Sequence, residues 1–146
     1  MPLVIRNAES PAEIMQCFPI VAELRPHLSR DDFPSLVKRL SEGTGFRLAY
    51  VSDPEVKAVA GYRIAEWLYA GKYLDIEDLV TTGTERSKGY GSALFQWLMV
   101  QAERNNCRQL RLVSGVQRSD AHRFYERLGM RYEAKYFSLN VGGSLS

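Results

Sequence analysis

Arg86-Ser87-Lys88-Gly89-Tyr90-Gly91-Ser92 carries the strongest chemical signal in the chain. Two glycines one residue apart let a main chain pass close to a ligand. They stand directly before a segment with helical spacing, where unpaired N–H groups and the helix dipole favour a phosphate. Arg86 and Lys88 add charge of the matching sign. Two familiar phosphate turns do not fit. A P-loop carries its lysine after the last glycine, whereas Lys88 precedes Gly89. The dinucleotide fingerprint asks for a third glycine where Leu94 stands, and for further βαβ units.

The elements that must hold this turn are legible from periodicity. Leu3 to Arg6 reads as a strand, and Ser10-Pro11 followed by Ile14, Phe18, Val21 and Leu24 reads as a capped helix ending before Pro26. A second helix is expected over Ser29 to Leu40, with Pro34 in its first turn and Gly43 and Gly45 closing it. Phe46–Val51 and Val56–Leu68, divided by Ser52-Asp53-Pro54, predict an antiparallel hairpin. Tyr73 to Thr81 is the strand before the glycine turn, and its alternation breaks at Leu79-Val80. After the turn, Ser92–Arg104 predicts a helix and Leu110, Leu112 and Val113 a strand. Ser119-Asp120 should cap a short helix ending at Gly129, and Met130–Leu139 a final strand. The order βααβββαβαβ predicts an α+β fold: a three-layer α/β/α sandwich around a single mixed sheet with a central βαβ crossover. Residues 1–146 read as one domain, loose from about residue 140.

Composition narrows the partners. With 19 Lys+Arg against 17 Asp+Glu, the net charge is too small to gather nucleic acid non-specifically, and the arginines from Arg104 to Arg131 fall on different elements. No run approaches the ~18 apolar residues of a membrane span, and no signal peptide is visible. Cys17 and Cys107 have neither a disulfide nor a metal spacing, so a reducing cytoplasm and no metal site are expected.

Arg-x-x-Gly-x-Gly at a helix start, with Ile76-Glu77-Asp78-Leu79-Val80-Thr81 before it and Asp120-Ala121-His122-Arg123-Phe124-Tyr125-Glu126-Arg127-Leu128-Gly129-Met130 after, resembles the GNAT superfamily of N-acetyltransferases. The likeness covers nearly the whole chain. It implies that the amides of Arg86, Ser87, Lys88, Gly89, Tyr90, Gly91 and Ser92 hold the pyrophosphate of acetyl-CoA. The pantetheine arm would pair along Leu79, Val80 and Thr81 like an added strand. That requires the strand to splay from its neighbour, and a β-bulge at the Leu79-Val80 break is the expected device. An N–H freed near Val80 would then polarise the thioester carbonyl.

Acyl transfer to an amine needs a base, a place for charge on oxygen and a proton for the departing thiolate. Glu77 is the first candidate for the base. Asp78 is the second and also a substrate contact; as strand neighbours the two should face opposite sides of the sheet. The resemblance gives the acid role to Tyr125; on spacing alone, Ala121, Phe124, Tyr125 and Leu128 would be the core face of a helix. The family often has Asn seven residues before that tyrosine where this chain has Arg118, which is carried over as a CoA contact in its place. His122 reads as a surface residue and Cys107 as a small apolar one, so direct transfer is expected rather than a thiol intermediate.

For the acceptor, Trp67, Tyr69 and Tyr73 interleave with Glu66, Asp75 and Glu77, while Asp31, Asp32 and Phe33 come from the helices. Rings among carboxylates suit a cationic amine, although the same rings would also fill sheet faces. Leu74–Val80 further resembles the acidic strand of polyamine acetyltransferases. The expected acceptor is therefore a small cationic amine, contacted by Asp78, Trp67 and Tyr73. A protein lysine or N-terminal amine is the alternative acceptor, and a catalytically silent acetyl-CoA binder the alternative function. The resemblance also implies pairing of two copies through their C-terminal strands.

Overall fold

Short-range chemistry decides where the first helix begins. After strand β1 (Val4–Asn7), the Ser10 hydroxyl accepts the Glu13 N–H at 3.1 Å, and the Glu13 carboxylate accepts the Ser10 N–H at 3.3 Å. This reciprocal cap, with Pro11 at the first position, starts α1 (Pro11–Leu24) where the sequence predicts it. The second helix, α2 (Phe33–Thr44), lies downstream of its expected bounds at both ends. Pro34 is tolerated only in a first turn, which pulls the start to Phe33, and the chain stays helical through Gly43 until Gly45 supplies the left-handed cap at φ 74°.

The structure, a computed structural model, describes residues 3–83, 88–115 and 117–142. It divides into a unit up to Leu112 and a unit from Val113 onward. In the first unit β2 (Arg47–Ser52), β3 (Val56–Trp67), β4 (Gly71–Thr81) and β5 (Gln109–Leu112) join β1 in one sheet of order β1-β2-β3-β4-β5. All pairs are antiparallel except β4 and β5, which run parallel because α3 (Tyr90–Arg104) crosses between them. Side chains alternate across the sheet. On one face Leu48, Tyr50 and Val59 pack with Ile14, Phe18 and Val21 of α1 and Phe33 and Val37 of α2. On the other, Ala58, Ala60 and Tyr62 are buried, as are Leu94, Leu98 and Ala102 of α3, and the Tyr62 ring meets Trp97 edge-on at 6.3 Å. A mixed sheet between two helical layers is the sandwich expected.

The second unit contains α4 (Ser119–Arg127). Ser119 and Asp120 are already helical rather than caps, and Asp120 pairs with Arg123 instead. Gly129, at φ 95°, ends the helix. The final strand expected over Met130–Leu139 does not form. Residues 130–142 carry no strand, and Tyr132, Tyr136, Phe137 and Leu139 are exposed. Alternating rings and aliphatics give that segment strand propensity, but a strand exists only through pairing, and no such pairing occurs among the described residues.

Candidate active site

The glycines expected to hold a phosphate stand at the N-terminus of α3. Gly89 is the cap residue, at φ 83°, which lies in the left-handed region where a side chain would be strained. The helix makes its bond from the Ala93 N–H to the Gly89 carbonyl at 3.0 Å, so the N–H groups of Tyr90, Gly91 and Ser92 all precede the helical ladder. Among the described residues no side chain caps this end and no acid stands in its first turn. The Tyr90 O–H donates to Asp53 Oδ2 at 2.9 Å, tying the helix start to the β2–β3 turn. Lys88 immediately precedes the cap, while Arg86 and Ser87 lie outside the described residues. On the strand side of the turn, Glu23 of α1 accepts the Thr82 O–H at 3.1 Å and the Gly83 N–H at 3.0 Å. Nothing in the local pattern around Glu23 pointed to this anchor, which joins residues far apart in sequence.

β4 changes character halfway along. It pairs with β5 from Tyr73 to Ile76, and with β3 along its whole length. From Glu77 to Thr81 its outer edge therefore has no strand partner among the described residues. The Thr82 N–H reaches the Lys57 carbonyl at 2.9 Å, so by alternation the polar groups of Val80 also turn toward β3. Those of Leu79 and Thr81 turn to the open edge. A donor expected near Val80 is thus presented by the residues on either side of it.

The bulge lies elsewhere than expected. Gly61 pairs with Asp78 and Tyr62 with Ile76, which leaves Glu77 as the extra residue, upstream of Leu79-Val80. The missed signal was Gly61, a lone glycine inside a strand pattern, and a Cβ there would sit 2.7 Å from the Phe46 ring. The bulge also overturns the expectation that Glu77 and Asp78 face opposite sides. Asp75 pairs with Arg63 and Asp78 with Gly61, two positions along one face of β3, and Glu77 Oε2 lies 2.6 Å from Arg63 Nε. Three carboxylates therefore gather on one face.

Each carboxylate has an arginine of the same chain beside it. Arg25, which caps the end of α1, donates its Nε–H to Asp78 at 3.0 Å. Asp75, almost wholly buried, accepts from Arg111 Nε at 3.2 Å and has Arg63 Nη2 at 3.9 Å. Burial pushes the Glu77 carboxyl above its ordinary pKa, with Asp75 and Asp78 adding to the rise and Arg63 opposing it. The Arg111 guanidinium stacks 4.4 Å from the Trp67 ring centre and 4.7 Å from that of Tyr73, while Tyr69 meets Trp67 edge-on at 5.5 Å. Two rings assigned to a cationic acceptor thus already hold a cation of the protein. Phe33 belongs to the core rather than to this face.

Within the second unit Tyr125 is buried on α4, which raises its phenol pKa; Arg118 nearby acts in the opposite direction. His122 Nε2 lies 2.8 Å from the Gly115 carbonyl, an oxygen that only accepts, so this nitrogen carries the proton. Burial pushes the Cys17 thiol up to about 12 and that of Cys107 above its ordinary value. Neither is a thiolate at neutral pH. No helix among the described residues is long and apolar enough to cross a membrane.

A mixed sheet with a bulged fourth strand whose outer edge from Glu77 to Thr81 has no strand partner among the described residues, followed by a helix that starts at a glycine with no side-chain cap among them, is the framework of an acyl-CoA N-acyltransferase. The model of the acetyltransferase (GNAT) family matches residues 10–130, and the chain belongs to that family. It is 31% identical over 135 residues to the uncharacterized N-acetyltransferase YhdJ of Bacillus subtilis, covering 91% of this chain and 95% of that protein. Among solved structures, a transcriptional regulator from Bacillus halodurans superposes with a TM-score of 0.84 at 23% identity, over 95% of this chain and 99% of that one. An aminoglycoside N-acetyltransferase in complex with CoA superposes at 0.83 with 11% identity, over 97% and 96%. At such identities these two show the fold. The protein is an acetyltransferase, of a family that uses acetyl-CoA.

Proposed function

We propose that the protein moves the acetyl group of acetyl-CoA directly to a primary amine of a small molecule that arrives as its ammonium ion, within a ternary complex. The observation that carries this reading is the bulge at Glu77, which sets a partly desolvated carboxylate where β4 loses its second neighbour. The residues present fit acetyl-CoA. The α3 start is free of acids and side-chain caps among the described residues, and the Leu79 and Thr81 edge offers main-chain groups to the pantetheine arm. When bound, the thioester supplies the activated acetyl group.

The roles of the chain's own groups follow. Lys88, Gly89, Tyr90, Gly91 and Ser92 hold the diphosphate, with Arg86 and Ser87 before them, and Arg118 takes the CoA contact at a position where the family often has Asn. At neutral pH only about one alkyl amine in a thousand is unprotonated, so Glu77 removes the proton, directly or through water, with its raised pKa suiting it to the task. Asp78, on the same face, is assigned the contact to the ammonium, while Asp75 stays buried with Arg111 and Arg63. An N–H at the open edge of β4, at Leu79 or Thr81, meets the charge that develops on the carbonyl oxygen. Tyr125 is assigned the proton for the thiolate on the family resemblance, and its raised pKa keeps the phenol protonated at neutral pH. Protonated Cys17 and Cys107 favour direct transfer over an acetyl-cysteine, and as free thiols they suit a reducing cytoplasm.

The test is release of CoA thiol from acetyl-CoA across a set of amines, amino acids and peptides. Glu77→Gln should lower kcat by about 10²–10⁴-fold and leave the KM for acetyl-CoA within about twofold. Turnover unchanged by Glu77→Gln would remove the base from this scheme, and no turnover with any amine would leave a CoA binder without activity.

A further inference from the structure

Charges on the bulged face of β4 balance before any acceptor arrives. Asp75 is paired with Arg111, Glu77 with Arg63 and Asp78 with Arg25, and Arg111 covers both Trp67 and Tyr73. An acceptor recognised by positive charge alone would have to displace these arginines and would gain no new partner for a second ammonium. Arg63 and Arg111 instead present donors. Their side chains are 34% and 33% exposed, and each guanidinium has five N–H groups, of which the contacts to Asp75 and Glu77 use a minority. Both lie on the face that holds Glu77, Arg63 in direct contact with it and Arg111 on the neighbouring strand, opposite Asp75.

We infer that the acceptor carries a carboxylate beside its reacting amine, an amino-acid-like zwitterion, with Arg63 and Arg111 receiving the carboxylate while the amine meets Glu77. Planar guanidinium forks match a carboxylate in geometry as well as charge, and the stack on Trp67 and Tyr73 fixes the plane of one of them. This inference rests on the acetyltransfer proposed above, and deepens it by naming the substrate class.

The experiment compares kcat/KM for a series of amino acids with their methyl esters and with the amines left by removing the carboxylate, in the wild type and in Arg63→Gln and Arg111→Gln. The free acid should be preferred over both analogues by about tenfold or more, as loss of a charge-assisted hydrogen-bond pair implies. In both variants that preference should fall toward one through a larger rise in KM for the acid than for the ester; in Arg63→Gln the acidic limb of the pH profile should also move up for acid and ester alike, because Arg63 opposes the rise of Glu77. An acid-to-ester ratio left intact, with both substrates lowered alike, would overturn the role of these arginines. Esters or plain amines used as well as the acids by the wild type would overturn the inference while acetyltransfer stands. If CoA binds and no amine of any arm is acetylated, the acetyltransfer reading fails and this inference with it.

Discussion

Two helices of the first unit begin in opposite ways. At α1 the cap is Ser10 and the third helical residue is Glu13, whose carboxylate answers the N–H of Ser10. The Tyr50 O–H donates to that carboxylate at 2.7 Å, and Arg6 Nε lies 3.2 Å from it. At α3 the cap is Gly89 and the third residue is Ser92, with no acid in the turn. Every helix start exposes about four N–H groups that something must satisfy. In α1 the protein supplies the anion itself; at α3, among the described residues, no acid and no side-chain cap stands in the first turn. On the function proposed above, the same helix chemistry would make a structural cap in one place and a diphosphate site in the other.

Exchanging the two ends breaks this contrast. Ser92→Glu puts an anion on α3 where α1 has Glu13, and should raise the KM for acetyl-CoA by about 10–100-fold, the worth of one or two charge-assisted hydrogen bonds, without lowering the melting temperature. Unchanged KM in steady-state kinetics would show that the α3 start is not the diphosphate site. Gly89→Ala forces a side chain into a left-handed backbone and should cost about 1–2 kcal/mol in denaturant unfolding, with a smaller rise in KM. Ser10→Ala, at the other helix, should cost about 1 kcal/mol and leave the KM for acetyl-CoA where it was. Acid titration gives the subtlest contrast. The hydrogen bond from Tyr50, then that from Ser10, lowers Glu13 from 4.5 to about 2, so its contribution to stability is complete above pH 4.5 and is lost as pH falls toward 2. Circular dichroism should show this limb flatten in Glu13→Gln and persist in Ser92→Ala. For Glu77 the shift is upward, so the acidic limb of kcat/KM should lie above the ordinary carboxylate range.

What could be read in advance was what local chemistry decides. Ser10-Pro11 marks a helix start by itself, Ser52-Asp53-Pro54 a hairpin, and a strand, glycine turn, amphipathic helix and further strand imply a βαβ crossover. What stayed hidden depends on cross-strand pairing. Whether Glu77 and Asp78 share a face is decided by their partners on β3, and Gly61 shifts that register. Which of Leu79, Val80 and Thr81 turns its N–H outward is decided by the register with β3, and β5 pairs no further than Ile76. Arg111 reaches Trp67 and Tyr73 only because a parallel strand sets it opposite Asp75. The rings and carboxylates were the expected residues on the expected strand, but their partners were not visible. The segment after Gly129 shows the reverse: the strand pattern is there and the pairing is not.

Calorimetric titration of the wild type and Ser92→Glu with CoA and with pantetheine, which lacks the diphosphate, is the most direct trial of the α3 N-terminus. Expected is CoA binding about 100-fold tighter than pantetheine in the wild type, with most of that difference gone in Ser92→Glu and pantetheine unaffected. Equal affinities for the two ligands, or a CoA preference that survives the new carboxylate, would contradict it.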